Sequence, residues 1–130
     1  PSPTPIFMRA VEDRLTRGAE KGIPISFTPH VVPMIRGMLV TAHIFFEPGK
    51  IPPREEILSL YESFYAQSSV VKISPTLPEP RQVRMTNHCF LGGFETDENG
   101  RLVVISVIDN LGKGASLQAI QNMDLMLEKE

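Results

Sequence analysis

The stretch "VRMTNHCFLGGFETDENGRLVVISVID", from Val83 to Asp109, restricts the fold more than any other part of the chain. Two runs rich in β-branched and aromatic residues flank Glu98-Asn99-Gly100, and an Asn-Gly pair between such runs specifies a tight hairpin. An antiparallel strand pair follows, and the rest of the chain must cover it. "GMLVTAHIFFE" alternates in the same way and predicts a strand over Met38–Phe46, while "VVKIS" predicts a short one. "REEILSLYESFYAQ" places Ile57, Leu60, Tyr61 and Phe64 on one face, with Glu55 and Glu56 in the first turn, where the helix dipole favours them.

Two further helices are expected. Thr4-Pro5 supplies a cap and a first-turn proline for a helix at about residues 5–20, ending near Gly18. The last helix carries Leu117, Ile120, Met123 and Leu127 on one stripe. The proline-rich "IPISFTPHVVPMIRG" cannot continue a helix, and "PTLPEPRQ" reads as a surface loop. Long β segments that do not alternate regularly with helices predict an α+β fold, an antiparallel or mixed sheet covered by helices. At 130 residues, one domain over 1–130 is expected. Ala115, Leu117, Ala119, Ile120, Met123, Leu125, Met126 and Leu127 occupy more of the last helix than one sheet face would cover, so another domain or a second subunit is expected against it.

The formal net charge of −2, with basic and acidic residues interspersed, gives no footprint for nucleic acid. No apolar run reaches the length of a membrane span, so no membrane association is expected. The single cysteine, Cys89, forms no internal disulfide, and the opening "PSPTPIF" has no signal pattern; a cytoplasmic location fits, and a cleaved organellar transit peptide would leave no trace.

"NLGKGASLQAIQNMD" (Asn110–Asp124) resembles the start of a phosphate-binding loop, but Val107 stands where that motif needs a glycine and Gly114 where it needs a hydroxyl. A glycine-rich turn before a helix remains, with Ser116 as a possible cap and free N–H groups that attract anions. His30, His43, His88 and Cys89 lack metal-ligand spacing, and no metal site is expected. His88 and Cys89, adjacent on a strand, would point to opposite faces, so Cys89 reads as a structural thiol. "ETDENG" is a hairpin turn without the remainder of a calcium loop. Arg36, beside Gly37, and Arg84, near Thr86 and Asn87, suit a carboxylate or phosphate; each could equally form an ion pair.

Three segments together, "FTPHVVPMIRG" (Phe27–Gly37), "VRMTNHC" (Val83–Cys89) and "VISVIDNLGKGASLQAIQNMDLML" (Val104–Leu127), resemble the C-terminal domain of N-acetyl-gamma-glutamyl-phosphate reductase. That family reduces an acyl phosphate to a semialdehyde with NADPH in arginine biosynthesis. The resemblance implies a C-terminal domain similar to that of glyceraldehyde-3-phosphate dehydrogenase, which shapes the substrate pocket and forms a homo-oligomer. It also implies a partner Rossmann domain that binds NADP and carries the catalytic cysteine. The family's final helix packs on that Rossmann domain.

By the same resemblance, Asn110, Lys113, Gly114, Ala115 and Gln118 border the cofactor, and Arg36, Asn87 and Arg84 lie near the small-molecule acyl phosphate. The chain departs from the family pattern at Phe7, which stands where the family has its catalytic histidine, and at Leu117 and Gly112, which replace a usual glycine and a usual valine. The Gly-Cys segment and the Rossmann fingerprint are not among these residues, so no catalytic residue is assigned and the chain is expected to be inactive alone. A non-catalytic dimeric module derived from that fold and one half of a split reductase are the alternatives.

Overall fold

The computed structural model describes residues 25–127, in two units divided between Pro33 and Met34. Residues 25–33, the described part of the first unit, form neither helix nor strand. The expected helix at residues 5–20, and Phe7 with it, lies outside the described residues.

The second unit is a four-stranded mixed sheet with two helices. In chain order it contains β1 (Met38–Phe45), α1 (Arg54–Phe64), β2 (Val71–Ile73), β3 (Cys89–Thr96), β4 (Arg101–Ile108) and α2 (Leu117–Leu127). The strands lie in the order β1-β4-β3-β2. β4 is antiparallel to both its neighbours, whereas β2 runs parallel to β3. A short 3-10 turn, Pro80–Gln82, interrupts the expected loop; Glu79 and Gln82 close it with a reciprocal capping box.

The hairpin is where the sequence placed it. Asp97 organises its turn: Oδ1 accepts the Asn99 and Arg101 N–H groups at 3.0 and 3.1 Å, and Gly100 takes a φ of 75° that favours glycine. The backbone N–H of Arg101, followed by that of Asn99 and the Arg101 guanidinium, holds the Asp97 carboxyl below its ordinary pKa against a smaller opposing effect of burial.

β3 is not a regular strand. A bulge between Gly93 and Glu95 puts Gly93 at φ 89° and Phe94 at φ 52°. The bulge inserts Phe94, only 1% exposed, into a core with Ile57, Leu102 and Val104. The Phe94 and Tyr61 rings meet edge to face at 4.8 Å, which fixes α1 against β3. Burial and the charge of Tyr65 raise the pKa of Tyr61.

The apolar face expected for α1 is only partly used. Ile57 is buried, but Leu60 is 64% and Phe64 76% exposed, because β3 and β4 reach only the Ile57 and Tyr61 side of the helix. The expected strand start at Val83 is also revised. Residues 83–88 form a turn in which Met85 has φ 59°, and pairing begins at Cys89. A methionine in the left-handed region departs from the extended backbone that a regular strand needs.

Gly92 is required by close approach. A Cβ there would lie 2.7 Å from Pro78 Cδ and 2.8 Å from the Thr76 carbonyl oxygen, so the segment after β2 lies directly on this strand. Gly92→Ala is expected to destabilise the fold by about 1–3 kcal/mol; an unchanged denaturation midpoint would show that the segment yields freely.

β1 is exposed along its whole length, with Leu39, Val40 and Phe45 prominent. Residues directly opposite one another share a face, so Met38, Val40, Ala42 and Ile44 lie on one side and Leu39, Thr41, His43 and Phe45 on the other. Both sides of this edge strand are therefore uncovered among the described residues. The same holds for α2, whose Ile120, Met123, Leu125, Met126 and Leu127 are all exposed.

Candidate functional site

At the end of β4 the apolar strand gives way to Asp109, which is fully buried. A carboxylate without water survives only when its oxygens are filled by donors. Arg36 Nε donates to Oδ1 and Oδ2 at 2.9 and 2.8 Å. The Leu111 and Gly112 N–H groups donate to Oδ1 at 2.9 and 3.1 Å, and the Met85 N–H donates to Oδ2. The guanidinium and these three N–H groups outweigh burial and hold the Asp109 pKa well below the usual carboxylate range.

The next residue continues the connection. Asn110 Oδ1 accepts the Gly37 N–H at 2.7 Å, and the Asp109 carbonyl accepts the Gly114 N–H at 2.8 Å. The turn Gly112–Ser116 is π-helical and leads directly into α2. Ser116 does not cap the helix as expected; its hydroxyl donates to the Leu111 carbonyl at 3.0 Å. Gly112 is explained by internal packing, since a Cβ would stand 3.0 Å from the Thr86 carbonyl oxygen and 3.2 Å from Leu117 Cδ1.

The sequence-derived site residues are not all brought together. Arg36 binds the buried carboxylate and Asn110 follows it in the chain, whereas Asn87 lies two residues beyond Met85, whose N–H reaches that carboxylate. Arg36 keeps a partly exposed side chain, 26% accessible. Asn87 is half-buried, and its Oδ1 is buried with no hydrogen-bond partner among the described residues. Arg84 is exposed and joins no ion pair among the described residues.

Lys113 and Gln118 face along α2: the Lys113 amine donates to Gln121, and Gln118 Nε2 donates to Asn122 Oδ1 at 2.7 Å. Gly114 and Ala115 are exposed on the turn. Asp109 itself was missed. The available signal was a lone acid closing the apolar run "VVISVI", an arrangement that requires a buried partner.

Cys89 is half-buried with its Sγ 3.4 Å from Ser106 Oγ, while the His88 ring lies 6.2 Å from that of Phe90. Among the described residues no three His, Cys, Asp or Glu side chains are grouped to hold a metal ion, and no helix is long and apolar enough to cross a membrane.

Among the described residues the fold is a mixed sheet with an exposed edge strand and a glycine-rich turn that leads into an exposed apolar helix. The chain belongs to the family described as semialdehyde dehydrogenase, dimerisation domain, whose model matches residues 7–110. It is 56% identical over 110 residues to the N-acetyl-gamma-glutamyl-phosphate reductase of Methanocaldococcus jannaschii, a match covering 82% of this chain and 32% of that protein. The corresponding reductase of Methanothrix thermoacetophila is 47% identical over 121 residues, covering 90% and 35%. This chain thus spans about a third of the length of these relatives. The aspartate semialdehyde dehydrogenase II structure from Vibrio cholerae has the same fold, with a TM-score of 0.60 at 19% identity, covering 75% of this chain and 29% of that one. These matches agree with the resemblance carried by the three sequence segments.

Proposed function

We propose that this chain is the substrate-positioning and dimer-forming part of an N-acetyl-gamma-glutamyl-phosphate reductase. NADP would bind to a Rossmann domain supplied by further sequence or by another chain. The observation that carries this reading is convergence: Arg36, Met85 and Leu111, one from each segment of resemblance, all bind the Asp109 carboxylate. Segments distant in sequence are thereby gathered where a ligand could touch all three.

Within that site, Asn110 fits a carboxamide. With Oδ1 committed to Gly37, its side-chain amide is left to donate, which suits the nicotinamide carbonyl. Bound NADPH would supply the hydride. The residues of this chain bind and orient. Arg36, through the part of its guanidinium not facing Asp109, together with Asn87 and Arg84, would hold the carboxylate and phosphate of the acyl phosphate. Lys113 and Gln118 would have to leave Gln121 and Asn122 to reach a ligand, whereas Gly114 and Ala115 present backbone at the turn surface. The open faces of β1 and α2 would be covered by a second copy and by the Rossmann domain, and the chain is expected to sediment as a dimer.

The test is NADPH oxidation with N-acetyl-gamma-glutamyl phosphate, using the chain alone and then with a Rossmann half from the family. Turnover only in the mixture supports the reading. A stable dimer with no turnover in either case indicates a non-catalytic module instead. In an active mixture, Asn110→Ala is expected to lower kcat/KM by roughly tenfold or more, since it removes the oriented amide and frees the Gly37 N–H. Unchanged kinetics would remove Asn110 from the site.

A further inference from the structure

Asp109 has no access to solvent and cannot touch a substrate, yet it is bound by every segment to which the proposed function assigns a contact. We propose that Asp109 is a positioning residue whose two carboxylate oxygens set the spacing between the Arg36–Gly37 segment, the turn that carries Arg84 and Asn87, and the loop that carries Asn110. The catalytic relevance of this role rests on the reductase reading; the mechanical part does not.

The two oxygens have different partners. Oδ1 receives both loop N–H groups, from Leu111 and Gly112, whereas Oδ2 receives the Met85 N–H; Arg36 Nε bridges the two. An asparagine in this place keeps one acceptor. If its oxygen stays on the loop N–H groups, its amide nitrogen faces the Met85 N–H and the Arg36 guanidinium, donor against donor. The loop should hold while the other two segments separate from it. Gly37 reports that separation independently, because its N–H binds Asn110 and not Asp109.

Hydrogen exchange on the whole 130-residue chain tests this. In Asp109→Asn, exchange at Met85 and Gly37 is expected to accelerate about tenfold or more, with the β3–β4 ladder retaining its protection. Arg36→Met serves if Asp109→Asn does not fold. It leaves the carboxylate and its three backbone donors in place, so it should release Gly37 while Met85, Leu111 and Gly112 stay protected. Unchanged Gly37 exchange in the folded variant would overturn the proposal, as would uniform loss of protection through the ladder, which signals general destabilisation only.

A second arm uses the reductase assembled with this chain, where Asp109→Asn should lower kcat/KM tenfold or more with the ladder still protected. Normal turnover by that variant would overturn the catalytic part. If the unsubstituted assembly shows no NADPH oxidation while Gly37 responds as expected, the reductase reading fails and the positioning role stands.

Discussion

Phe94→Ala is expected to lower the stability of the chain by about 3–5 kcal/mol, the range for removing a fully buried phenyl ring. Domains of this size have total stabilities of roughly 5–15 kcal/mol, so the variant should sit near the edge of folding at 37 °C. The ring is the only large aromatic side chain among those described that is fully buried, and it contacts Tyr61 on α1 as well as lying with Leu102 and Val104 on the sheet. Losing it opens a cavity and removes one of the contacts, beside that of Ile57, that hold the helix to the strands. Phe94 also sits at φ 52°, so alanine keeps the backbone strain while losing the compensating contacts. Urea denaturation checks this. A loss under about 1 kcal/mol would mean that α1 collapses into the space.

Asp109→Ala is expected to be comparably severe, lowering the thermal midpoint by on the order of 10 °C, because it leaves a guanidinium and three backbone N–H groups without their acceptor. Arg36→Met should be milder, since the carboxylate keeps its backbone donors. The pH dependence has a definite sign. The folded carboxyl titrates below the unfolded value of about 3.9, so its stabilising effect is fully present above that value and is lost as pH falls through the folded pKa. Stability should therefore decline as pH drops below about 4, and the decline should be shallower in Asp109→Ala. Asp97 titrates in the same direction and adds to the slope. Parallel acid unfolding of the two proteins would show that Asp109 is not the group responsible.

The strands, the hairpin and the two described helices were legible because their signals are local. Alternation in Met38–Phe46, the Asn-Gly turn and the stripe of α1 each lie within a few residues. The bulge at Phe94 and the left-handed Met85 were not legible, since neither residue type announces a positive φ. For α1, periodicity identified the face but not how much of it would find a partner, and Leu60 and Phe64 remained exposed.

For the site, the arginine at position 36 and the asparagines at 87 and 110 could be selected by residue type and resemblance. Their common anchor could not, because Arg36 and Asp109 are 73 residues apart and no local pattern joins them. Lys113 was selected by its place in the glycine-rich turn, but its reach toward Gln121 depends on a rotamer that sequence does not encode.

The strand order carries a kinetic consequence. β3 and β4 are neighbours in the chain and need only a short turn to pair, whereas β1 must find β4 across the whole of the intervening chain, with Met38 opposite Ile108. Closing so long a loop is entropically unfavourable until a preformed edge is available to receive the strand. The hairpin should therefore assemble first and β1 dock last, so that Leu102→Ala slows folding while Val40→Ala chiefly accelerates unfolding. Until that docking is complete, β4 presents an unpaired edge rich in valine and isoleucine, and the nascent chain is most prone to aggregate in that interval.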